Sequence, residues 1–149
     1  MQRKSRSAGV TMIELLIVIS IVGVLAAIAY PSYTRFVQQA NRTDATRTLQ
    51  FTAQQLERCY SQNYTYINAA GTPCNIVAGA TVSQEGFYTV TVATANAQTY
   101  TLTATPLKAP QTTDAPCVSF TLNSDGSQSA KDSGGVTNTT ITKTCWGSN

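Results

Sequence analysis

Four cysteines and one isolated carboxylate are the residues of this chain whose types and spacing could do chemistry. The cysteines are Cys59, Cys74, Cys117 and Cys145, and the 149-residue sequence contains no histidine. Without histidine the chain lacks the commonest general base and metal ligand, and its cysteines lack the C-x-x-C spacing of zinc or thioredoxin-type sites. The sequence therefore predicts no catalytic residue, no metal site and no cofactor.

The isolated carboxylate is Glu14, which stands at the head of a long apolar run. Residues 15–34 carry no charge, and 20 residues in a helix cover about 30 Å, the thickness of the hydrocarbon core of a bilayer. A charge near hydrocarbon costs about 3 kcal/mol at the centre of a membrane. A cleaved secretory signal has no use for such an acid, so Glu14 indicates a segment that is kept.

The basic residues are concentrated before this run. Arg3, Lys4 and Arg6 precede residue 9 with no acid among them, while the whole chain has 10 basic and 7 acidic residues. The positive-inside rule then places the N-terminus in the cytoplasm and the C-terminus outside. Because the rest of the chain is electrically balanced, composition argues against a nucleic-acid partner, which usually needs a basic stripe.

An amphipathic stretch follows the apolar run without a linker. Its spacing predicts one helix from about residue 11 to 62, whose second half, residues 33–62, packs one stripe against a sheet. Gly23 and Pro31 are weak points of this helix, because glycine lowers helix propensity and proline removes a backbone hydrogen bond. The stripe consists of Tyr33, Phe36, Val37, Ala40, Ala45, Leu49, Ala53, Leu56, Cys59 and Tyr60.

The remaining sequence predicts a loop and then an antiparallel sheet, which makes the fold class α+β. Residues 63–86 are rich in Asn, Ala, Gly and Thr and are interpreted as a loop. Large apolar residues alternate with Thr and Ser over residues 87–92, 99–103 and 118–122, as in strands with one wet face. The Asp125-Gly126 turn allows a return strand, so the sheet spans 87–131. The tail beyond it carries little regular pattern.

The segment around Glu14 resembles the N-terminal region of type IV prepilins. It joins a basic leader, Ala8-Gly9, and then Val10-Thr11-Met12-Ile13-Glu14 at the start of the apolar helix. The resemblance implies a type IV pilin fold and a leader at residues 1–9, cleaved after Gly9 by a prepilin peptidase. It also implies N-methylation of the new first residue, Val10, where the family usually has Phe.

The resemblance also implies a role for Glu14 in assembly. In a filament, Glu14 of an incoming subunit would pair with the amine of Val10 in a neighbour, since apolar helices gain little by leaving lipid for one another. The residues leave two alternatives open, a pair between Glu14 and its own amine and capping of the helix start. Residues 10–32 would form the membrane and filament-core helix, bending at Gly23 and Pro31, and residues 33–149 the external head.

Four cysteines outside the membrane permit two disulfides in any of three connectivities. Chain order favours Cys59–Cys74, which would staple the helix end to the loop, and Cys117–Cys145, which would close a C-terminal region over residues 117–145. The second pair resembles the C-terminal disulfide loop of type IV pilins.

Further residues, among them Tyr30-Pro31 and Cys145-Trp146, are similar to PilE-type minor pilins. The resemblance implies a structural pilus subunit that supports twitching motility, adhesion or DNA uptake. Its partners would be other pilins, the prepilin peptidase and the inner-membrane assembly machinery, and it would pass from the inner membrane to the extracellular pilus. Two alternatives stay open, a DNA-binding minor pilin for transformation and a type II secretion pseudopilin. Against DNA binding, residues 63–149 hold three cations and four acids.

Overall fold

One long helix leads into a five-stranded antiparallel sheet in the computed structural model, which describes residues 10–73 and 80–147. Helix α1 spans Met12–Asn63, and a short helix, α2, spans Thr139–Trp146. The strands pair in chain order and are β1 Ala80–Val82, β2 Tyr88–Ala95, β3 Tyr100–Pro106, β4 Ser119–Asn123 and β5 Gln128–Lys131. The chain divides into two compact units, the first ending at Arg35 and the second beginning at Phe36.

The first unit is the apolar part of α1, and none of its described side chains is buried. Its large apolar residues, from Val10 at 74% to Ile28 at 69%, are each more than half exposed. By length and composition this helix is apolar enough to cross a membrane. The helix passes through Gly23 and Pro31 without interruption, so bending at these residues stays a prediction.

In the second unit α1 packs on the sheet, but through a stripe that starts later than the sequence predicts. Ala45, Leu49 and Leu56 are fully buried, as expected. The prediction is wrong for the first turns, because Phe36 is 70% exposed and Tyr33 is 67% exposed. Polar residues take the buried positions there, and their side chains hydrogen-bond to the loops that cover the helix, as described below.

The sheet has one buried and one wet face, as its alternating sequence predicts. In β3, Tyr100, Leu102 and Ala104 are buried, whereas the intervening threonines are partly exposed. Strand β1 is a departure, because the sequence predicts a loop over residues 63–86. Its three residues pair with β2, with Thr81 opposite Val90, and so short a strand carries too little alternation to be recognised.

The structure also corrects the prediction of an irregular C-terminal tail, since α2 lies within it. Asn138 begins the helix by accepting the Ile141 amide at 2.8 Å through its side chain, and Gly147 ends it at a φ of 68°. The threonine-rich sequence has low helix propensity. The Asn and Gly caps were the signal that a helix lies between them.

Cys117 and Cys145 form the C-terminal disulfide and are both buried. Trp146 follows directly, donates its indole N–H to the Ser129 carbonyl at 3.0 Å and packs edge-on against Phe120. These contacts hold α2 against β5 and β4. Cys59 is also disulfide-bonded, but Cys74 lies outside the described residues, so the Cys59–Cys74 pairing stays a prediction.

Candidate assembly site

The start of α1 is closed by a reciprocal pair of hydrogen bonds between Thr11 and Glu14. The Thr11 hydroxyl accepts the Glu14 amide at 3.3 Å, and Glu14 Oε2 accepts the Thr11 amide at 3.3 Å and the Thr11 hydroxyl at 3.1 Å. This is a capping box, the Thr-x-x-Glu arrangement that satisfies two unpaired amides at a helix N-terminus. Capping, one of the alternatives left open by the sequence, is therefore a real role of Glu14.

Capping leaves part of the Glu14 carboxylate available. Within the described residues Oε1 accepts no hydrogen bond, and Glu14 is exposed. A carboxylate accepts at both oxygens, so Glu14 can hold its own helix start and still accept a cation from another chain. Val10 is 74% exposed beside it, whereas Gly9, the predicted cleavage residue, lies outside the described residues.

In the second unit, one ion pair joins α1 to the loop between β3 and β4. Arg42 Nε and Nη2 donate to the two oxygens of Asp114, each at 2.8 Å, and Arg42 Nη1 donates to the Thr144 carbonyl at 3.3 Å. The Asp114 side chain is fully buried and that of Arg42 is 11% exposed. The pair is therefore a bidentate, desolvated contact, and its arginine is committed to holding the head together.

A second buried carboxylate, Asp44, holds the turn between β1 and β2. It accepts the Ser83 hydroxyl and the backbone amides of Glu85 at 3.2 Å and Phe87 at 3.4 Å. Asp44 is 7% exposed, and these donors replace the water that it loses. Asp44 therefore positions the turn between β1 and β2.

Amide side chains complete the buried polar layer. Gln111 donates to the Gln38 carbonyl at 3.1 Å and to the Tyr88 hydroxyl at 2.6 Å, and Gln38 donates to the Pro110 carbonyl at 2.9 Å. Burial raises the pKa of Tyr88 to about 12. The layer explains why the first turns of α1 in the head bury polar side chains, where the sequence predicts that apolar ones are buried.

Near the end of α1, Glu57 accepts hydrogen bonds from two tyrosines. The hydroxyls of Tyr66 and Tyr100 lie 3.1 and 3.0 Å from Glu57 Oε1. Burial, together with this carboxylate, raises the pKa of Tyr66 to about 12, and the same causes raise the pKa of Tyr100. Tyr60 stacks on Tyr66 with ring centroids 4.6 Å apart. The cluster joins helix, loop and β3, which is a structural role.

Within residues 10–73 and 80–147, no group of three or more Cys, Asp or Glu side chains is arranged to hold a metal ion. The buried carboxylates of the described head are Asp114 and Asp44. Asp114 is paired with Arg42, and Asp44 accepts the Ser83 hydroxyl and two backbone amides.

An apolar N-terminal helix with an acid in its first turn, continuing into a helix packed on an antiparallel sheet, defines the class of type IV pilins. The prokaryotic N-terminal methylation motif matches residues 4–30. The family model described as "Type IV minor pilin ComP, DNA uptake sequence receptor" matches residues 31–121, more than half of the chain. The chain belongs to this family of minor pilins.

Two relatives show how far the likeness extends. Over 51 residues the chain is 43% identical to the type IV major pilin protein PilA of Myxococcus xanthus, which is 33% of this chain and 23% of that protein. The chain thus matches less than a quarter of that relative's length. The structure of the non-core minor pilin PilV of Neisseria meningitidis shares the fold, with a TM-score of 0.50 and 23% identity over 66% of this chain and 90% of that one.

These findings confirm the predicted pilin class and fold. The chain is a minor type IV pilin, held in the inner membrane by its apolar helix and assembled into the extracellular pilus. Thr11 is the site residue that the sequence analysis missed. Its Thr-x-x-Glu spacing before an apolar run was the available signal.

Proposed function

We propose that this minor pilin is a structural subunit, not an enzyme, and that it enters the pilus through Glu14. The observation that carries the proposal is an exposed carboxylate with one oxygen free of hydrogen bonds within the described residues. It stands at the start of the apolar part of α1, in which no described side chain up to Arg35 is buried. Such a helix needs lipid or other helices around it, and its acid needs a cation.

The proposed sequence of events starts with cleavage after Gly9 by the prepilin peptidase and methylation of Val10. The new amine of Val10 then lies at the cytoplasmic start of the helix. When a stored subunit moves into the filament, its Glu14 accepts the amine of a neighbour while Thr11 keeps the helix capped. Because helix packing in lipid lacks a hydrophobic driving force, this pairing of charges favours the transfer and sets its register.

The test compares Glu14→Val with Ser20→Val, a matched control on the same exposed helix. Ser20 only donates to the Leu16 carbonyl within its own turn. Both variants should reach the membrane at the wild-type level. The amount of Glu14→Val in sheared pili should fall more than about tenfold, because an unpaired charge costs several kcal/mol, whereas Ser20→Val should assemble normally. Glu14→Val present in pili at the wild-type level would contradict the proposal.

Thr11→Val separates pairing between subunits from capping. It removes the hydroxyl of the capping box but keeps the Glu14 carboxylate, so assembly should decrease by much less than in Glu14→Val. Equal losses in the two variants would show that Glu14 acts through the helix cap alone. Mass analysis of the N-terminal peptide from membranes and pili reports whether the chain begins at a methylated Val10.

A second candidate function is capture of DNA, which is favoured by the description of the matching family as a DNA uptake sequence receptor. The second unit sets limits on it. The chain from Phe36 onwards contains six basic and six acidic residues, so it has no net charge. One of the basic residues, Arg42, is paired with Asp114. Lys131 on β5 and Lys143 on α2 are exposed cations on two elements that pack together, and they are the pair that we assign to phosphate contacts.

Two such contacts predict weak, mildly salt-dependent binding. The slope of log K against log salt should be about −2 for duplex DNA. Lys131→Gln and Lys143→Gln should each reduce the slope by about one, whereas Lys108→Gln is the control, because Lys108 is engaged with the Glu85 carbonyl and the Phe87 ring. Fluorescence anisotropy of the full chain in detergent measures the slope. Absence of binding at low salt would exclude this second function.

A further inference from the structure

The second unit presents an exposed stripe along α1 that its own fold leaves uncovered. Residues three or four apart share this side of the helix, and each of them is exposed to solvent. Two are large aromatics, Phe36 at 70% and Phe51 at 58% exposure. They lie about 22 Å apart along the axis, and neither belongs to the head's core. The stripe consists of Phe36, Ala40, Thr43, Arg47, Phe51, Gln54 and Arg58.

The middle of the stripe forms one wall of a groove of about 520 Å³. The opposite wall is made by β1 and the turn after it, the turn that Asp44 holds in place. Val82 is 55% exposed there, so the groove has an apolar side chain on each wall. The groove is therefore preformed, and its shape depends on buried hydrogen bonds and not on the occupant.

Two exposed charged residues line the groove, Arg47 on the helix wall and Glu85 on the turn wall, and neither forms an ion pair within the described residues. The third charged lining residue, Asp44, is buried and accepts hydrogen bonds from the turn. An occupant that covers the groove must supply an acid to Arg47 and a base to Glu85, since uncompensated buried charge is costly. A nucleic acid does not fit, because Glu85 would repel phosphate and the apolar walls would remain unmatched.

We propose that this groove receives the head of a neighbouring pilin subunit in the filament. The occupant inserts an apolar side chain between Phe51 and Val82, flanked by an acid that faces Arg47 and a base that faces Glu85. The inference rests on the proposed function, because a neighbouring subunit is present only in an assembled pilus. It goes further by assigning the surface through which the heads contact each other.

The first test compares Phe51→Ser with Val136→Ser, a matched control on a loop outside the groove, where the side chain is 49% exposed. Phe51→Ser should lower incorporation into sheared pili about tenfold, since burial of a large apolar side chain at a contact is worth about one decade of affinity. Val136→Ser should assemble normally, and both variants should keep the wild-type melting temperature. Normal incorporation of Phe51→Ser would overturn the proposal.

A photocrosslinking residue identifies the occupant directly. Placed at Thr43 in the groove, it should yield an adduct with another pilin in intact pili, whereas at Thr105 on the open face of the sheet it is the control. An adduct with DNA, or none, would overturn the assignment.

The Glu14→Val variant distinguishes failure of the groove proposal from failure of the proposed function. If it fails to assemble while Phe51→Ser assembles, only the groove is wrong, and if both assemble the proposed function fails as well.

Discussion

The two halves of α1 belong to one continuous helix but differ in what their side chains contact. From Met12 to Arg35 no side chain is buried, and the charged group at its start, Glu14, forms contacts only within its own first turn. From Phe36 to Asn63 apolar side chains reach the sheet. Gln38 and Arg42 bond to the loop between β3 and β4, and Asp44 bonds to the turn between β1 and β2. The apolar side chains of the first half thus need lipid or other helices to cover them. The second half is covered by its own head except along the exposed stripe from Phe36 to Arg58.

The comparison shows where each kind of substitution should act. A change in the second half should lower the free energy of unfolding of the head, because it removes contacts within the chain. A change in the first half should leave that free energy unaltered and act on insertion or assembly.

Asp114→Asn should destabilise the head by about 4 kcal/mol, because it leaves the Arg42 guanidinium without its charge partner in a nearly buried position. Denaturant unfolding of the detergent-solubilised chain, followed by tryptophan fluorescence, measures the loss. Asp125→Asn is the control, since this carboxylate is exposed in the turn between β4 and β5 and accepts the Ser127 amide at 2.8 Å. Equal midpoints for the two variants would show that the ion pair contributes nothing.

Leu49→Ala should cost about 3 kcal/mol, because Leu49 is fully buried and its truncation leaves a cavity between helix and sheet. Leu16→Ala is the matched substitution in the first half, where Leu16 is 55% exposed. It should leave the unfolding midpoint of the head unchanged. A shift of the midpoint in Leu16→Ala comparable with that in Leu49→Ala would break the comparison between the two halves.

Local patterns predicted much of this architecture. The long helix and strands β2 to β4 could be predicted from the sequence, because the apolar run and the alternating pattern each involve residues that are close together in the chain. The C-terminal disulfide followed from chain order and the resemblance. The capping role of Glu14 stayed open until the structure showed the Thr11–Glu14 hydrogen bonds, although its signal lies within four residues.

The features that sequence missed depend on distant partners. Gln38 and Asp44 look like surface residues, and only loops about 40 to 70 positions away in the chain turn them into a buried layer. Because these residues take the inner face, Phe36 is placed outside, which reverses the predicted stripe at its start. Helix α2 was hidden for another reason, since its threonines disfavour a helix that packing and caps nevertheless stabilise.

The smallest predicted effect is a loss of head stability at alkaline pH. Burial raises the pKa of Tyr88 from 10 to about 12, so the folded state keeps this phenol protonated where the unfolded state has lost the proton. The contribution of the protonated Tyr88 to the free energy of unfolding is complete below about pH 10. It is lost as the pH rises to about 12, and the free energy falls by about 1 kcal/mol per pH unit. Tyr88→Phe should show a shallower decline of unfolding free energy over this range, and superimposable profiles would contradict the prediction.

Three contacts of the head involve α2, which follows every strand of the sheet in chain order. Arg42 bonds to the Thr144 carbonyl, Cys117 is joined to Cys145, and Trp146 bonds to Ser129. None of these contacts can form in a chain that ends before Thr139, although α1 and all five strands would be present. A head without α2 is therefore expected to open locally and to be cut by proteases more readily than the complete head.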